Sequence, residues 1–190
     1  GRYAGWLTLH AGLASGADVI LIPEIPFRME TVAEKCAGRN RGGKGFTIVA
    51  VGEGAKPVGG EQVVDHVVEN SPDPIRLGGV SKYVAEEVEK ISRLESRAII
   101  LGHVQRGGTP TARDRVLATG FGYHAYTLLR EGRFGRVVVE QAGEITSVPI
   151  ADVADKVRTV PGNHRLVRAA RATGAVFGDE EDLADTPDTR

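Results

Sequence analysis

The sequence predicts an α/β fold: a mostly parallel sheet with helices on both faces. Short, continuous, β-branched runs such as Val19-Ile20-Leu21-Ile22 read as strands buried on both sides, as parallel sheets require. Segments of helical spacing alternate with these runs, the order in which a parallel sheet is wound.

Taken in order, Ala4, Leu7, Leu9, Ala11, Leu13 and Ala14 lie in a stretch of little charge that Gly16 closes, a helix with a glycine stop. Asp18–Ile22 is the first strand, ended by Pro23. Residues 28–39 predict a polar, exposed helix, and Phe46–Val51 a second strand running into Gly-Glu-Gly-Ala-Lys. Residues 56–79 are rich in Gly, Pro, Asp and Ser, a long connection of the kind used as a functional loop or subunit contact. Val80, Val84, Val88 and Ile91 recur at helical spacing among Glu86, Glu87, Glu89 and Lys90, an amphipathic helix. Arg97–Leu101 predicts a third strand, residues 111–130 a helix and Val137–Glu140 a fourth strand. A Gly143 turn and a short helix near Ile150–Val157 follow. The tail from Gly178 holds six acids and almost no apolar residues, a composition that predicts disorder.

Composition narrows the functional classes. The chain has 190 residues, 41% apolar and 26% charged, with 24 basic residues nearly cancelling 25 acidic ones. No bulk charge points to nucleic acid or an anionic membrane, so any anion site must be local. The single cysteine, Cys36, cannot form an internal disulfide, which fits a reducing cytoplasm. No apolar run approaches the roughly 20 residues of a membrane helix. The chain opens on Gly1 without an initiator methionine, so it reads as a piece of a longer polypeptide, truncated at its N-terminus.

Ligands of parallel sheets bind beyond the carboxyl ends of the strands. Glu53 follows the second strand, between Gly52 and Gly54, and either accepts hydrogen bonds from a ligand's hydroxyls or is a solvated loop acid. His103, Gln105 and Arg106 follow the third, among Gly102, Gly107 and Gly108, where free backbone N–H groups would form an anion nest. Arg2 precedes the first helix, a place that the helix dipole disfavours for a cation, so an anion is expected nearby. Arg97 reads equally as a site residue or as a partner of Glu95. A Walker-type loop, a dinucleotide glycine fingerprint and a GxSxG elbow are all missing from the sequence. The histidines, at 10, 66, 103, 124 and 164, show no metal-ligand spacing, so no metal is assigned to this segment.

Three blocks resemble one family. "GRYAGWLTLHAGLASGADVILIPEIPF", "GKGFTIVAVGEGAKP" and "RAIILGHVQRGGTPTARDRVLATGFGYHA" are similar to the carboxyl-terminal half of 6-phosphofructokinases, ATP- or pyrophosphate-dependent. The resemblance runs from Gly1 to about Pro161. It implies transfer of a phosphoryl group to the 1-hydroxyl of fructose 6-phosphate, with Mg2+ and the ATP or pyrophosphate donor bound mainly by an upstream half. The upstream half also carries the catalytic aspartate of that family. Gly1-Arg2 represents the end of the Met-Gly-Arg substrate motif, so Arg2 contacts substrate and the transferring phosphoryl group. Glu53 matches the acid that binds the sugar. His103, Val104, Gln105 and Arg106 form the run that holds the 6-phosphate, and Arg97 reaches it from a neighbouring subunit of a homodimer or homotetramer. Lys44 aligns with an effector-site lysine of allosteric members, with Gly43, Gly45 and Phe46 where those members are basic. The implied division is a sugar-phosphate-binding domain over 1–110, a helix and strand over 111–160 that return to the upstream half, and a C-terminal extension over 161–190. A non-catalytic sugar-phosphate-binding or regulatory subunit on the same fold is the alternative.

Overall fold

The computed structural model describes residues 1–61, 64–67, 75–77 and 79–184. Its contacts group into two units, residues 1–100 with 157–190 and residues 101–156.

The first unit is built around β1 (Val19–Leu21), whose residues are all buried. On one edge it pairs in parallel with β2 (Val49–Val51), Val19 opposite Val49 and Leu21 opposite Val51. On the other it forms a parallel bridge with Val176, whose carbonyl accepts the Ile20 N–H at 2.9 Å. Alternation then sends successive side chains to opposite faces. Ile20 and Ile22 enter a cluster with Leu9, Val160, Val167, Ala170 and Phe177. Val19 and Leu21 enter another with Val32, Cys36, Val84 and Val88. The first cluster is roofed by α1 (Trp6–Ser15) and α5 (Arg165–Ala172), the second by α2 (Met29–Arg41) and α3 (Val80–Ser92). The predicted covering of both faces is therefore found. Helix α1 ends where the sequence placed its stop, with Gly16 left-handed at φ 65°.

Helix α2 departs from its reading as an exposed helix. Met29, Val32, Ala33 and Cys36 are buried. Their spacing of three and four residues makes a narrow apolar stripe inside a mostly charged segment. Burial pushes the Cys36 thiol above its ordinary pKa, with the nearby Asp18 acting the same way, so the thiol is a packing group rather than a nucleophile. Within the long connection, β3 (Val64–Val67) and β4 (Ile75–Leu77) pair antiparallel. Residues 62–63, 68–74 and 78 of that connection lie outside the described residues, as do 185–190 of the acidic tail.

The third predicted strand does not form. Residues 97–101 are irregular, with Ile99 80%, Ile100 72% and Leu101 48% exposed. Among the described residues no strand pairs with this run, and a strand exists only through its ladder.

The second unit holds α4 (Ala112–Arg130) and a hairpin of β5 (Arg136–Gln141) and β6 (Glu144–Pro149). The sequence reading stopped at one strand here and placed a helix up to residue 157; only a 3-10 turn at Ile150–Asp152 is present. Ala142 at φ 53° and Gly143 at φ 88° make the two-residue reversal that turns the chain back into a strand.

Val160, Val167, Ala170 and Phe177 complete the first unit's core. The acidic tail is likewise ordered to α6 (Glu181–Ala184). Asp182, 3% exposed, accepts the N–H groups of Phe177 at 2.8 Å and Gly178 at 2.6 Å, and pairs with Arg171. Arg171 also lies over the Phe177 ring at 4.9 Å. A carboxylate that meets backbone donors and a guanidinium is a structural group, whatever the composition around it. Asp182→Ala leaves those backbone donors unpaired and removes one of the three carboxylates around Arg171, which keeps Asp179 and Glu181, and is expected to cost about 1–3 kcal/mol. Glu180→Ala removes only the exposed pair with Arg28 and should cost less than about 1 kcal/mol. Denaturant unfolding of the two variants beside the parent checks both values.

Candidate active site

The carboxyl ends of β1 and β2 deliver the first group of candidates. Glu53 stands two residues past β2, and Arg2 lies beside it, Nε to Oε2 3.7 Å. The backbone reinforces that approach, since the Gly54 N–H donates to the Gly1 carbonyl at 3.2 Å. Gly52 makes it possible. A Cβ there would fall 2.9 Å from the Thr8 hydroxyl and 3.3 Å from the Leu21 carbonyl, so a side chain would push β2 away from α1 and β1. The anion expected near Arg2 is thus a carboxylate of the same site. Both side chains are partly open to solvent, 28% for Arg2 and 43% for Glu53, so each can exchange its partner for a ligand.

His103, Val104, Gln105 and Arg106 occupy a 3-10 turn, Gly102–Arg106, and all are exposed. They follow an irregular apolar run rather than a strand. Gly102 at φ 52° and Gly108 at φ 97° frame the turn. The Gly107 N–H is spent inside it, donating to the Val104 carbonyl at 3.2 Å. The N-terminus of α4 is also occupied from within. The Asp114 N–H donates to the Thr111 hydroxyl at 3.3 Å, and the Thr111 N–H to the Asp114 carboxylate at 2.8 Å. Of the glycine N–H groups expected to form a backbone nest, that of Gly107 is therefore occupied within the turn. Arg97 is exposed and donates through Nε and Nη2 to Glu95 at 3.0 and 2.6 Å, the partner that the sequence offered as its alternative.

Glu24, three residues beyond β1, was passed over in the sequence. It lies between Pro23 and Ile25, where the proline reads only as a strand stop. Its carboxylate accepts N–H groups from Gly5 and from Val160. The one available signal was an acidic residue shortly after a buried strand, one position later than Glu53 stands after β2.

The fold and these residues define an α/β protein of the open parallel-sheet class, with Arg2 and Glu53 paired beyond the carboxyl ends of its parallel strands. The family model described as phosphofructokinase matches residues 1–129, and the chain belongs to the phosphofructokinase family. It is 44% identical over 180 residues to the ATP-dependent 6-phosphofructokinase of Chloroflexus aurantiacus, covering 95% of this chain and 49% of that one. It is 46% identical over 162 residues to the pyrophosphate–fructose 6-phosphate 1-phosphotransferase of Amycolatopsis methanolica, covering 85% and 47%. The phosphofructokinase of Saccharomyces cerevisiae superposes with a TM-score of 0.63 at 30% identity, covering 80% of this chain and 19% of that one. The pyrophosphate-dependent phosphofructokinase of Nitrosospira multiformis does so at 0.68 and 22% identity, covering 94% and 47%, which shows the fold. The chain spans about half the length of the curated relatives it matches.

The closed N-terminus of α4 has a pH signature. The Thr111 hydroxyl, and then its backbone N–H, hold the Asp114 carboxyl below its ordinary pKa. The folded chain therefore binds this proton less readily than the unfolded one, so the contribution is full above the unfolded value and fades as the pH falls through it. Amide-exchange protection in the first turn of α4 should drop on acidification below about pH 4, the usual aspartate value. In Asp114→Asn that protection should be lower at neutral pH and should lack the drop.

Proposed function

We propose that this chain is the acceptor side of a 6-phosphofructokinase, an enzyme that transfers a phosphoryl group to the 1-hydroxyl of fructose 6-phosphate and yields fructose 1,6-bisphosphate. One observation carries the reading. An ATP-dependent relative and a pyrophosphate-dependent one are almost equally similar to this chain, at 44% and 46% identity. The two enzymes' names differ in the donor and agree on a phosphofructose acceptor. What this segment has in common with both is the sugar phosphate.

The chemistry of the named residues suits that task. A phosphate dianion needs fixed positive groups, and the arginine fork both binds and orients it. In this reading His103 and Arg106 hold the 6-phosphate, with Val104 and Gln105 completing the run. Glu53 accepts hydrogen bonds from sugar hydroxyls. Arg2 is the catalytic residue of the segment: it leaves Glu53 for the transferring phosphoryl group and offsets the charge that spreads over its oxygens. Phosphoryl transfer depends mainly on such positioning and electrostatics. Among the described residues no group of three or more His, Cys, Asp or Glu could hold a metal ion. In this reading Mg2+ and the donor belong to an upstream half, toward which residues 111–160 return. Arg97, exposed and paired with Glu95 two residues away, in the same reading reaches the 6-phosphate of a second subunit in a homodimer or homotetramer. The reading places the enzyme in the cytoplasm; among the described residues no helix is long and apolar enough to cross a membrane.

Arg106→Ala in the full-length enzyme removes a charge-assisted clamp. It should raise the KM for fructose 6-phosphate roughly ten- to a hundredfold, for a loss of about 1.5–3 kcal/mol, and leave the donor KM nearly unchanged. Steady-state kinetics with both substrates decide it, and an unchanged sugar-phosphate KM would sink the assignment.

Subunit mixing tests Arg97. Arg97→Ala and Arg106→Ala subunits, each nearly inactive alone, should partly restore activity together, since a two-fold hybrid holds one interface with both lesions and one with neither. If activity stays at the level of the parents after subunit exchange, Arg97 works within its own chain.

A further inference from the structure

We propose that Glu24 is a positioning residue for Arg2, and that through it the C-terminal segment holds the catalytic arginine in place. The inference rests on the assignment of Arg2 made above. The segment concerned, residues 158–160, lies beyond residue 129, where the family match ends.

Arg2 sits on a short stretch, residues 1–5, that enters α1. The first turn of α1 contains no acidic residue, and its N-cap, Gly5, has no side chain to close it. Glu24 supplies the missing anion from the end of β1. Its Oε1 and Oε2 accept the Gly5 N–H at 3.0 and 3.1 Å, at the helix end where a negative charge is favoured. The fit is close. A Cβ on Gly5 would lie 2.8 Å from Glu24 Oε2 and 2.4 Å from Ile22 Cβ, so glycine is what lets the backbone reach the carboxylate.

The same Oε1 accepts the Val160 N–H at 2.7 Å. One carboxylate oxygen therefore joins three chain segments: the residues that carry Arg2, the end of β1, and the start of the C-terminal segment. A second fastening lies one residue further on. Trp6 Nε1 donates to the Arg158 carbonyl at 2.7 Å, and the Arg158 guanidinium lies over the indole at 5.4 Å. Val160 is itself anchored, 2% exposed, in the core with Ile20, Ile22 and Phe177. The stretch bearing Arg2 is thus braced against the buried core of the first unit.

The expected kinetic signature separates positioning from mere support. In the full-length enzyme Glu24→Ala should lower kcat roughly ten- to a hundredfold, the effect of a displacement of about 1 Å in a reacting group, with the donor KM unmoved. Glu24→Gln keeps an oxygen that accepts from both Gly5 and Val160 and should recover most of the rate. On an Arg2→Ala background Glu24→Ala should cost little more, because its effect passes through Arg2. An equal loss on both backgrounds, or an unchanged kcat in Glu24→Ala, overturns the inference while leaving the function standing. An Arg2→Ala enzyme with unchanged kcat overturns the Arg2 assignment itself and this inference with it. Should Glu24→Ala not accumulate as folded protein, Trp6→Phe, which removes the bond to Arg158, takes its place in the same cycle, with the same non-additivity expected and full additivity overturning the inference.

Discussion

Complete burial of β1 on both faces is the constraint from which the arrangement of the first unit follows. A three-residue strand cannot hold itself in place. It is kept by β2 on one edge, by Val176 on the other, and by four helices above and below. Fixing β1 in this way fixes what lies at its carboxyl end, since Glu24 and the neighbouring end of β2 can then occupy one position only. The Arg2–Glu53 pair and the Glu24 junction are consequences of that burial.

The C-terminal segment contributes to the same constraint from a distance in sequence. Val160, Val167, Ala170 and Phe177 fill one face of β1, and Val176 lengthens the sheet. The Arg171 network with Asp179, Glu181 and Asp182 then secures this segment. Its energetics differ from those of the surface pairs. Arg171 is 14% exposed and Asp182 3%, so their mutual attraction is little screened and either alone would be costly to bury. Pairs such as Lys82–Glu86 on α3 are open to water and contribute little.

Charge is distributed between the candidate residues in a way that suits an anionic ligand. Arg2 faces the Glu53 carboxylate at 3.7 Å while 28% of its side chain stays open to solvent, so the guanidinium is oriented yet accessible. The 102–108 turn works differently. Its backbone donor at Gly107 and the first turn of the following helix are satisfied internally. The side chains of His103 and Arg106 are exposed on that turn.

What the sequence determined by itself was local and periodic. Gly16 as a helix stop, the 80/84/88 stripe, and the continuous β-branched run of β1 each follow from neighbours within a few residues, and each is present. The family was likewise legible, because Gly-His-Val-Gln-Arg-Gly-Gly is a run of specific residues rather than a pattern. Tertiary structure decided the features that depend on a distant partner. Ile99-Ile100-Leu101 has the composition of a strand but no ladder among the described residues. Asp182 has the composition of a disordered tail, yet three backbone N–H groups and Arg171 gather round it. Glu24 reads as a loop acid after a proline until Gly5 and Val160, 19 and 136 residues away, both donate to it. Hydrophobic spacing is written along the chain, whereas the satisfaction of a carboxylate is settled by whichever donors the fold brings within hydrogen-bonding distance.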